Sequence, residues 1–276
     1  DFKQIDEMAM KLGMEMQNNK RIKSGIKYAL IKITYNGHCC TQKENLIEYV
    51  KQLLGINKEV REEGIINLKV NNEIVIEDRD GIEWIYLYSF YNAEKQIAEK
   101  IVKLNKAKNT KKVVNIEKEL KIIEEKTDII LSEKQKEAIK EINENNVTII
   151  TGGPGTGKTT IIKSIIEIYN QKKYKIVLCA PTGRAAKRMT ETTGEEASTL
   201  HRLLEIGKVD EESLFNKESE YQGSPIDADI IIVDEVSMVD MFIMSYLLGC
   251  IYQGTKLILV GDSDQLPSVG PGSVLK

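Results

Sequence analysis

Apolar and polar positions follow two different rhythms along this chain. In the first half, apolar residues recur every three or four positions over residues 5–12, 22–33 and 46–54, which predicts three amphipathic helices. Residues 73–77 and 82–88 then alternate with period two around Asp80-Gly81, a dipeptide suited to tight hairpin turns. A further helix is expected over 93–104. Helices followed by a two-stranded wing predict a small, mostly helical α+β domain of winged-helix character over residues 1–110. Such a shape binds DNA or another protein. A plain α+β packing domain fits the same pattern, and spacing does not choose among these.

Residues 105–126 are rich in lysine and glutamate with few large apolar side chains. They predict a partly helical linker, placed at 111–130. The basic run Lys103, Lys106, Lys108, Lys111 and Lys112 reads as a solvated helix end rather than a phosphate-binding patch. From Val147 onward the rhythm changes to short apolar runs separated by loops and helices. Strands are expected over 147–150, 175–179, 229–233 and 256–260, and helices over 158–169, 184–190 and 241–248. Apolar strands alternating with helices indicate an α/β fold, a parallel sheet covered on both faces. Ligands then sit at the carboxyl ends of the strands.

Composition narrows this picture without naming a chemistry. A length of 276 residues suits about two domains. The four cysteines are too few and too scattered for a disulfide framework, which points to a reducing, cytoplasmic location. No charged-then-apolar leader is evident, and no apolar run approaches the length of a membrane span. The first 110 residues carry 18 basic and 16 acidic side chains and the remainder 21 and 26, so any nucleic-acid contact must be a narrow stripe. All five prolines and 13 of the 19 glycines fall after residue 150, where shaped loops are therefore concentrated. His38 beside Cys39 and Cys40 has no second ligand pair nearby and is not read as a zinc site.

Four segments carry chemistry. Gly152-Gly153-Pro154-Gly155-Thr156-Gly157-Lys158-Thr159 follows a strand and opens a helix, the context of a phosphate-binding loop. Glycines let successive N–H groups wrap a triphosphate, and the helix N-terminus adds partial positive charge. Lys158 reaches the β and γ phosphates, and the Thr159 hydroxyl suits Mg²⁺. Asp234-Glu235 ends the apolar run 230–233: Asp234 would hold the metal, and Glu235 would orient and deprotonate an attacking water. In Gly261-Asp262-Ser263-Asp264-Gln265-Leu266-Pro267, Gln265 can hydrogen-bond a γ-phosphate. Gln135 can pair with adenine through its amide, and with Ser132 it equally fits a helix capping box; the two roles are compatible.

Taken together, these segments resemble superfamily 1 helicases of the RecD/TraA type, the exodeoxyribonuclease V alpha-chain family. Gly152 to Thr160 looks like motif I, Pro181-Thr182-Gly183-Arg184-Ala185-Ala186 like motif Ia, and Ser198-Thr199-Leu200-His201-Arg202-Leu203-Leu204 like motif Ib. Asp234-Glu235-Val236-Ser237-Met238-Val239-Asp240 is similar to motif II and residues 261–272 to motif III. The resemblance is strong over residues 131–276. More weakly, the front part resembles stand-alone RecD-like enzymes, with Lys11-Leu12-Gly13 as the tail of a helix-hairpin-helix repeat.

The resemblance implies a RecA-like P-loop motor domain, ATP and Mg²⁺ as ligands, and ATP-driven 5′-to-3′ movement on single-stranded DNA up to a duplex junction, in repair or recombination. It implies nucleotide contacts from Gln135 and from Gly152, Gly153, Pro154, Gly155, Thr156, Gly157, Lys158, Thr159 and Thr160. Lys158, Glu235 and Gln265 are implied as catalytic, and Thr159 and Asp234 as metal-holding. Pro181, Thr182, Gly183, Arg184, Thr199 and His201 are implied as DNA contacts, and residues 204–227 as a pin-like insertion. A second motor domain with an arginine finger is expected in the family and has no counterpart in this sequence. The expectation is therefore a fragment that binds nucleotide and hydrolyses it slowly. A nucleotide-gated DNA-binding or scaffold module is the alternative, and a protein partner for the front domain stays open.

Overall fold

The computed structural model describes residues 2–34, 37–206, 223–265, 268 and 270–275. Two compact units divide near residue 95, the first holding residues 1–95 and the second most of the remainder.

The first unit begins with α1 (Phe2–Lys11) and α2 (Asn19–Thr34). The Arg21 guanidinium is buried and donates to both Asp6 carboxylate oxygens at 2.7 and 2.8 Å and to the Met16 carbonyl at 2.8 Å, fixing α1 on α2. There follow β1 (Cys40–Gln42), α3 (Lys43–Leu54), α4 (Lys58–Val70), β2 (Ile74–Arg79) and β3 (Ile82–Leu87). The sheet is antiparallel in the order β1-β3-β2. Helix, strand, two helices and a hairpin whose last strand pairs with the first is the winged-helix arrangement expected. The wing turns at Asp80 and Gly81, with φ of 54° and 79°, as the Asp-Gly signal requires. Gly64 lets α4 lie against α2, since a Cβ there would sit 2.5 Å from Ile22 and 2.8 Å from Ile26.

The boundary lies within α5 (Tyr88–Lys106), ahead of residue 110. The expected linker differs more sharply from what the structure contains. Residues 116–127 form α6 (Ile116–Thr127), and its Ile116, Leu120 and Ile123 are buried in the core of the second unit. The preceding residues are pinned by amide side chains. Val113 N–H donates to Asn143 Oδ1 at 2.7 Å and the Val113 carbonyl accepts from Asn143 Nδ2 at 3.1 Å. Asn146 Nδ2 donates to the carbonyls of Leu104 at 3.2 Å and Ala107 at 2.7 Å. Within the basic run, Lys111 pairs with Asp229 and Lys112 with Glu144, at 2.5 Å for the latter.

The second unit continues with α7 (Glu133–Glu144), β4 (Val147–Thr151), α8 (Lys158–Gln171), β5 (Ile176–Ala180), α9 (Gly183–Thr193), β6 (Ala197–Thr199), α10 (Leu200–Leu203), β7 (Ile230–Val233), a 3₁₀ turn (Val236–Met238), α11 (Met241–Gly249) and β8 (Lys256–Gly261). All five strands are parallel, in the order β4-β8-β7-β5-β6. Alternate residues face opposite layers: Ile230 and Ile232 pack with α6, α7 and α8, and Ile231 and Val233 with α10 and α11. Burial on both sides explains why these strands read as continuous apolar runs. Most of the expected pin, residues 207–222, and Leu266, Pro267 and Val269 of the third motif lie outside the described residues.

Candidate functional site

Strand order brings the sequence motifs into one row along the carboxyl edge of the sheet. The glycine loop after β4 lies beside the end of β8, with Thr151 in register with Gly261 and Gly152 N–H donating to the Gly261 carbonyl at 3.3 Å. Next come Asp234-Glu235 after β7, then residues 181–183 after β5, then Thr199 at the end of β6. Ala180 is in register with Thr199, so the Pro181 and Thr199 loops are neighbours.

The loop itself has the backbone that its glycines permit. Gly155 and Gly157 take φ of 77° and 84°, a left-handed conformation costly for other residues. Lys158 Nζ folds back to donate to the Gly153 carbonyl at 3.0 Å and to the Gly152 carbonyl, and Thr156 Oγ1 donates to Gly153 at 2.9 Å. These carbonyls hold the ammonium over the loop, where phosphate oxygens would compete for it.

Of the two roles that its sequence context left open for Gln135, the structure contains the capping box. Ser132 N–H donates to Gln135 Oε1 at 2.9 Å and Gln135 N–H to Ser132 Oγ at 3.3 Å, a complete capping box on α7. Its Nε2 lies against Gly157, where an added Cβ would collide with it. The amide therefore flanks the loop while one lone pair of Oε1 is engaged by the cap. Gly157→Ala is expected to push Gln135 aside, strain a left-handed φ and lower nucleotide affinity by at least about tenfold. Titration with a fluorescent ATP analogue measures this, and unchanged affinity would discount the close approach.

The carboxylates are held by their neighbours. Asp234 N–H donates to the Cys179 carbonyl at 2.9 Å, and Asp234 Oδ1 accepts from Glu235 N–H at 2.9 Å. Glu235 has φ of 54°, an uncommon conformation for a side chain of its type. Burial raises the pKa of Asp234, opposed by the Glu235 N–H and by the charges of Lys158 and Arg188. Burial and then the Asp234 charge raise that of Glu235, with Arg188 and Lys158 opposing and Asp262 adding to the rise. Arg188 is a residue that the motif reading missed. It lies one turn beyond Arg184 on α9, and that i, i+4 spacing was the available signal.

Asp262 is 4% exposed and accepts from Asp264 N–H at 3.1 Å and Gln265 Nε2 at 3.2 Å, so Gln265 is anchored beside the carboxylates. Ser237 Oγ is buried with no hydrogen-bond partner in the structure. Close approach of β8 to the 3₁₀ turn depends on Gly261, where a Cβ would sit 3.3 Å from the Val236 and Ser237 nitrogens.

At the far end of the row, Thr182 caps α9 by accepting from Ala185 N–H at 3.2 Å, and Thr199 caps α10 by accepting from Arg202 N–H at 3.2 Å. Gly183, Arg184 and His201 are exposed. The His201 charge acts on Asp240, which is raised by burial and steadied by the N–H groups of Ile243 and Phe242. Small residues and two helix starts thus present backbone N–H groups beside Arg184, a surface able to take phosphates.

Among the described residues no three His, Cys, Asp or Glu side chains converge into a metal cage. Mg²⁺ in phosphate-binding loops needs one or two carboxylates and phosphate oxygens rather than a cage, so Thr159, Asp234 and the orphaned Ser237 hydroxyl fit it. Burial, and then the charges of Glu94 and Cys40, push Cys39 up to about 12. Among the described residues no helix is long and apolar enough to cross a membrane.

Comparison with known proteins gives a consistent set of relatives. Residues 135–271 match a family described as an AAA domain, and residues 1–40 match the HHH domain of ATP-dependent RecD2 DNA helicases. The RecBCD enzyme subunit RecD of Buchnera aphidicola subsp. Acyrthosiphon pisum is 37% identical over 212 residues, 70% of this chain and 34% of that protein. The ATP-dependent RecD2 DNA helicase of Deinococcus radiodurans is 41% identical over 142 residues, 51% of this chain and 19% of that protein. This chain therefore spans about a third or less of the curated relatives it matches. A crystal structure of Pif1 helicase from Bacteroides with ADP-AlF3 and ssDNA is 31% identical over 51% of this chain and 34% of that one, with a TM-score of 0.34.

Proposed function

This chain belongs to the RecD-type family of DNA helicases, and from that premise we propose that it is the nucleotide-binding motor part of an ATP-dependent DNA helicase that moves 5′ to 3′ on single-stranded DNA, in repair or recombination. The observation that carries this reading is the strand order. It sets the glycine loop at one end of a row, the Pro181 and Thr199 loops at the other, and Asp234 and Glu235 between, an order that supports a triphosphate at the first and a strand of phosphates at the second.

In this reading Gly152, Gly153, Pro154, Gly155, Thr156, Gly157 and Thr160 wrap the triphosphate, and Gln135 faces the adenine. Lys158 exchanges its loop carbonyls for β and γ phosphate oxygens. Thr159 and Asp234 hold Mg²⁺, which when bound neutralises charge on the phosphates. Glu235 orients the attacking water and takes its proton; burial and then the Asp234 charge raise its pKa, which strengthens it as a base. Gln265, anchored on Asp262, lies where loss of the γ-phosphate is sensed. Pro181, Thr182, Gly183, Arg184, Thr199 and His201 carry the DNA strand, and the duplex junction lies ahead of them. A second motor domain of the longer protein would supply the missing arginine finger, worth about 10³–10⁵ in rate.

Glu235→Gln tests the assignment. In the longer protein it is expected to slow DNA-stimulated hydrolysis by about 10²–10⁴ while ATP affinity is kept. Hydrolysis at the original rate would remove Glu235 from the reaction and with it the motor reading of this row.

A further inference from the structure

In the first unit, α3 and α4 are joined by Gly55, Ile56 and Asn57, with Gly55 at φ of 66°. A turn of that length containing glycine makes them a helix-turn-helix pair. In DNA readers of this kind the second helix enters the major groove and brings cations to the phosphates. Here the second helix is α4, and its surface is wrong for that task. Glu59, Glu63, Ile66 and Val70 follow one another at intervals of four, three and four residues, so they lie along one outward stripe. Ile66 is 59% exposed and Val70 74%.

Of the three cations on α4, Lys69 is exposed beside Val70 and the other two are committed. Arg61 points inward and is buried, donating to the Ile56 carbonyl. Lys58 pairs with Glu62 at 3.7 Å. On the wing, Arg79 donates to Glu77 at 2.7 Å, bonds the Tyr86 hydroxyl and packs over the Tyr86 ring at 5.5 Å. Asp78 and Asp80 flank it, both exposed. Glu59, Glu63, Asp78 and Asp80 against Lys69, exposed and unpaired among the described residues, leave the helix and the wing, the two elements a winged helix would offer to a duplex, with net negative charge toward a polymer carrying one negative charge every ~1.7 Å.

We propose that the outward stripe of α4 docks a basic amphipathic helix of a partner protein. Charge complementarity selects the occupant: lysines or arginines face Glu59 and Glu63, and apolar residues one or two turns along cover Ile66 and Val70. Helix-on-helix recognition uses anchors at this same spacing. The four residues lie in the first unit, so the proposal does not depend on the motor assignment.

The probe is a fluorescent peptide of leucine and lysine spaced as an amphipathic helix, with a leucine and glutamate peptide as its control, titrated against the 276-residue chain by anisotropy. The lysine peptide is expected to bind at about micromolar concentration and the glutamate peptide to show no binding. Glu59→Lys with Glu63→Lys, and separately Ile66→Ser with Val70→Ser, are each expected to weaken it about tenfold or more. These side chains face solvent, and circular dichroism confirms that the variants fold; Glu59→Gln with Glu63→Gln gives a milder second pair. Duplex DNA is expected neither to displace the peptide nor to respond to the Ile66 and Val70 changes. Absent peptide binding, binding indifferent to both pairs of substitutions, or duplex binding lost with Ile66→Ser and Val70→Ser would each overturn the proposal.

Discussion

Replacing Lys158 by alanine is expected to weaken Mg·ATP binding to this chain by about a hundredfold. Hydrogen bonds from a charged donor contribute about 1.5–3 kcal/mol each, and Lys158 is placed to make two to the phosphates. At about 1.4 kcal/mol per tenfold, the loss reaches two orders of magnitude. A second effect is separable from the first. Because Lys158 also bonds the Gly152 and Gly153 carbonyls, the variant should leave the loop less protected even without nucleotide. Faster amide exchange over 152–157 would report this. Lys158→Arg is expected to fail as well, since a planar guanidinium does not reproduce a compact ammonium at that point. Titration with a fluorescent ATP analogue decides the matter, and equal affinity in the alanine variant would exclude Lys158 from phosphate binding.

The largest effect on stability is expected at Lys256. This side chain opens β8 and is 1% exposed, yet Nζ donates to the carbonyls of Ile142 at 2.8 Å, Asn143 at 3.1 Å and Asn145 at 2.7 Å. It closes the carboxyl end of α7, where cations suit the helix dipole. Lys256→Met removes three charge-assisted bonds and leaves buried carbonyls unpaired, which costs more than burial of the ammonium gives back. A net loss of about 3 kcal/mol is expected, read from urea unfolding of the second unit.

Proton linkage gives that experiment an internal check. Burial lowers the Lys256 pKa from its ordinary 10.5 to about 8. Below pH 8 both folded and unfolded chains carry the proton. Between about pH 8 and 10.5 the folded chain releases it and the unfolded chain keeps it, so stability rises with pH. Other groups titrate in that window, so the difference between wild type and Lys256→Met isolates the contribution. Parallel pH profiles would show that the lysine is not buried as described.

The glycine loop and the apolar strands were legible because each needs its residue types for a local reason: left-handed backbone at Gly155 and Gly157, burial on both faces of β7. What local pattern could not supply was strand order, and strand order is what makes neighbours of Gly152, Gly261 and Asp234. Helix α4 escaped notice because its inward face is built from Gly64 and a buried Arg61 beside Ile65 and Leu68, a weak apolar signal. The burial of α6, expected only as part of a linker, was hidden by its lysines and glutamates, although Ile116, Leu120 and Ile123 keep helical spacing. Arg188 carried no motif of its own, and its effect on Asp234 and Glu235 arises only once β5 lies beside β7. Gln135 illustrates the opposite case: the capping box that its spacing from Ser132 predicted is formed, and the same amide lies against Gly157.

The amide clasps of Asn143 on Val113 and Asn146 on Leu104 and Ala107 bear on how this protein can be dissected. The similarity to AAA domains begins at residue 135, which invites a cut there. A piece started at that point would lack Ser132, the cap of α7, and would bare Ile139 and Ile142 where Val113, Leu120 and Ile123 now cover them. Such a piece should be prone to aggregate. Excision ahead of Leu104 keeps the clasps and the covering helix together, and is the shorter route to a second unit that can be studied by itself.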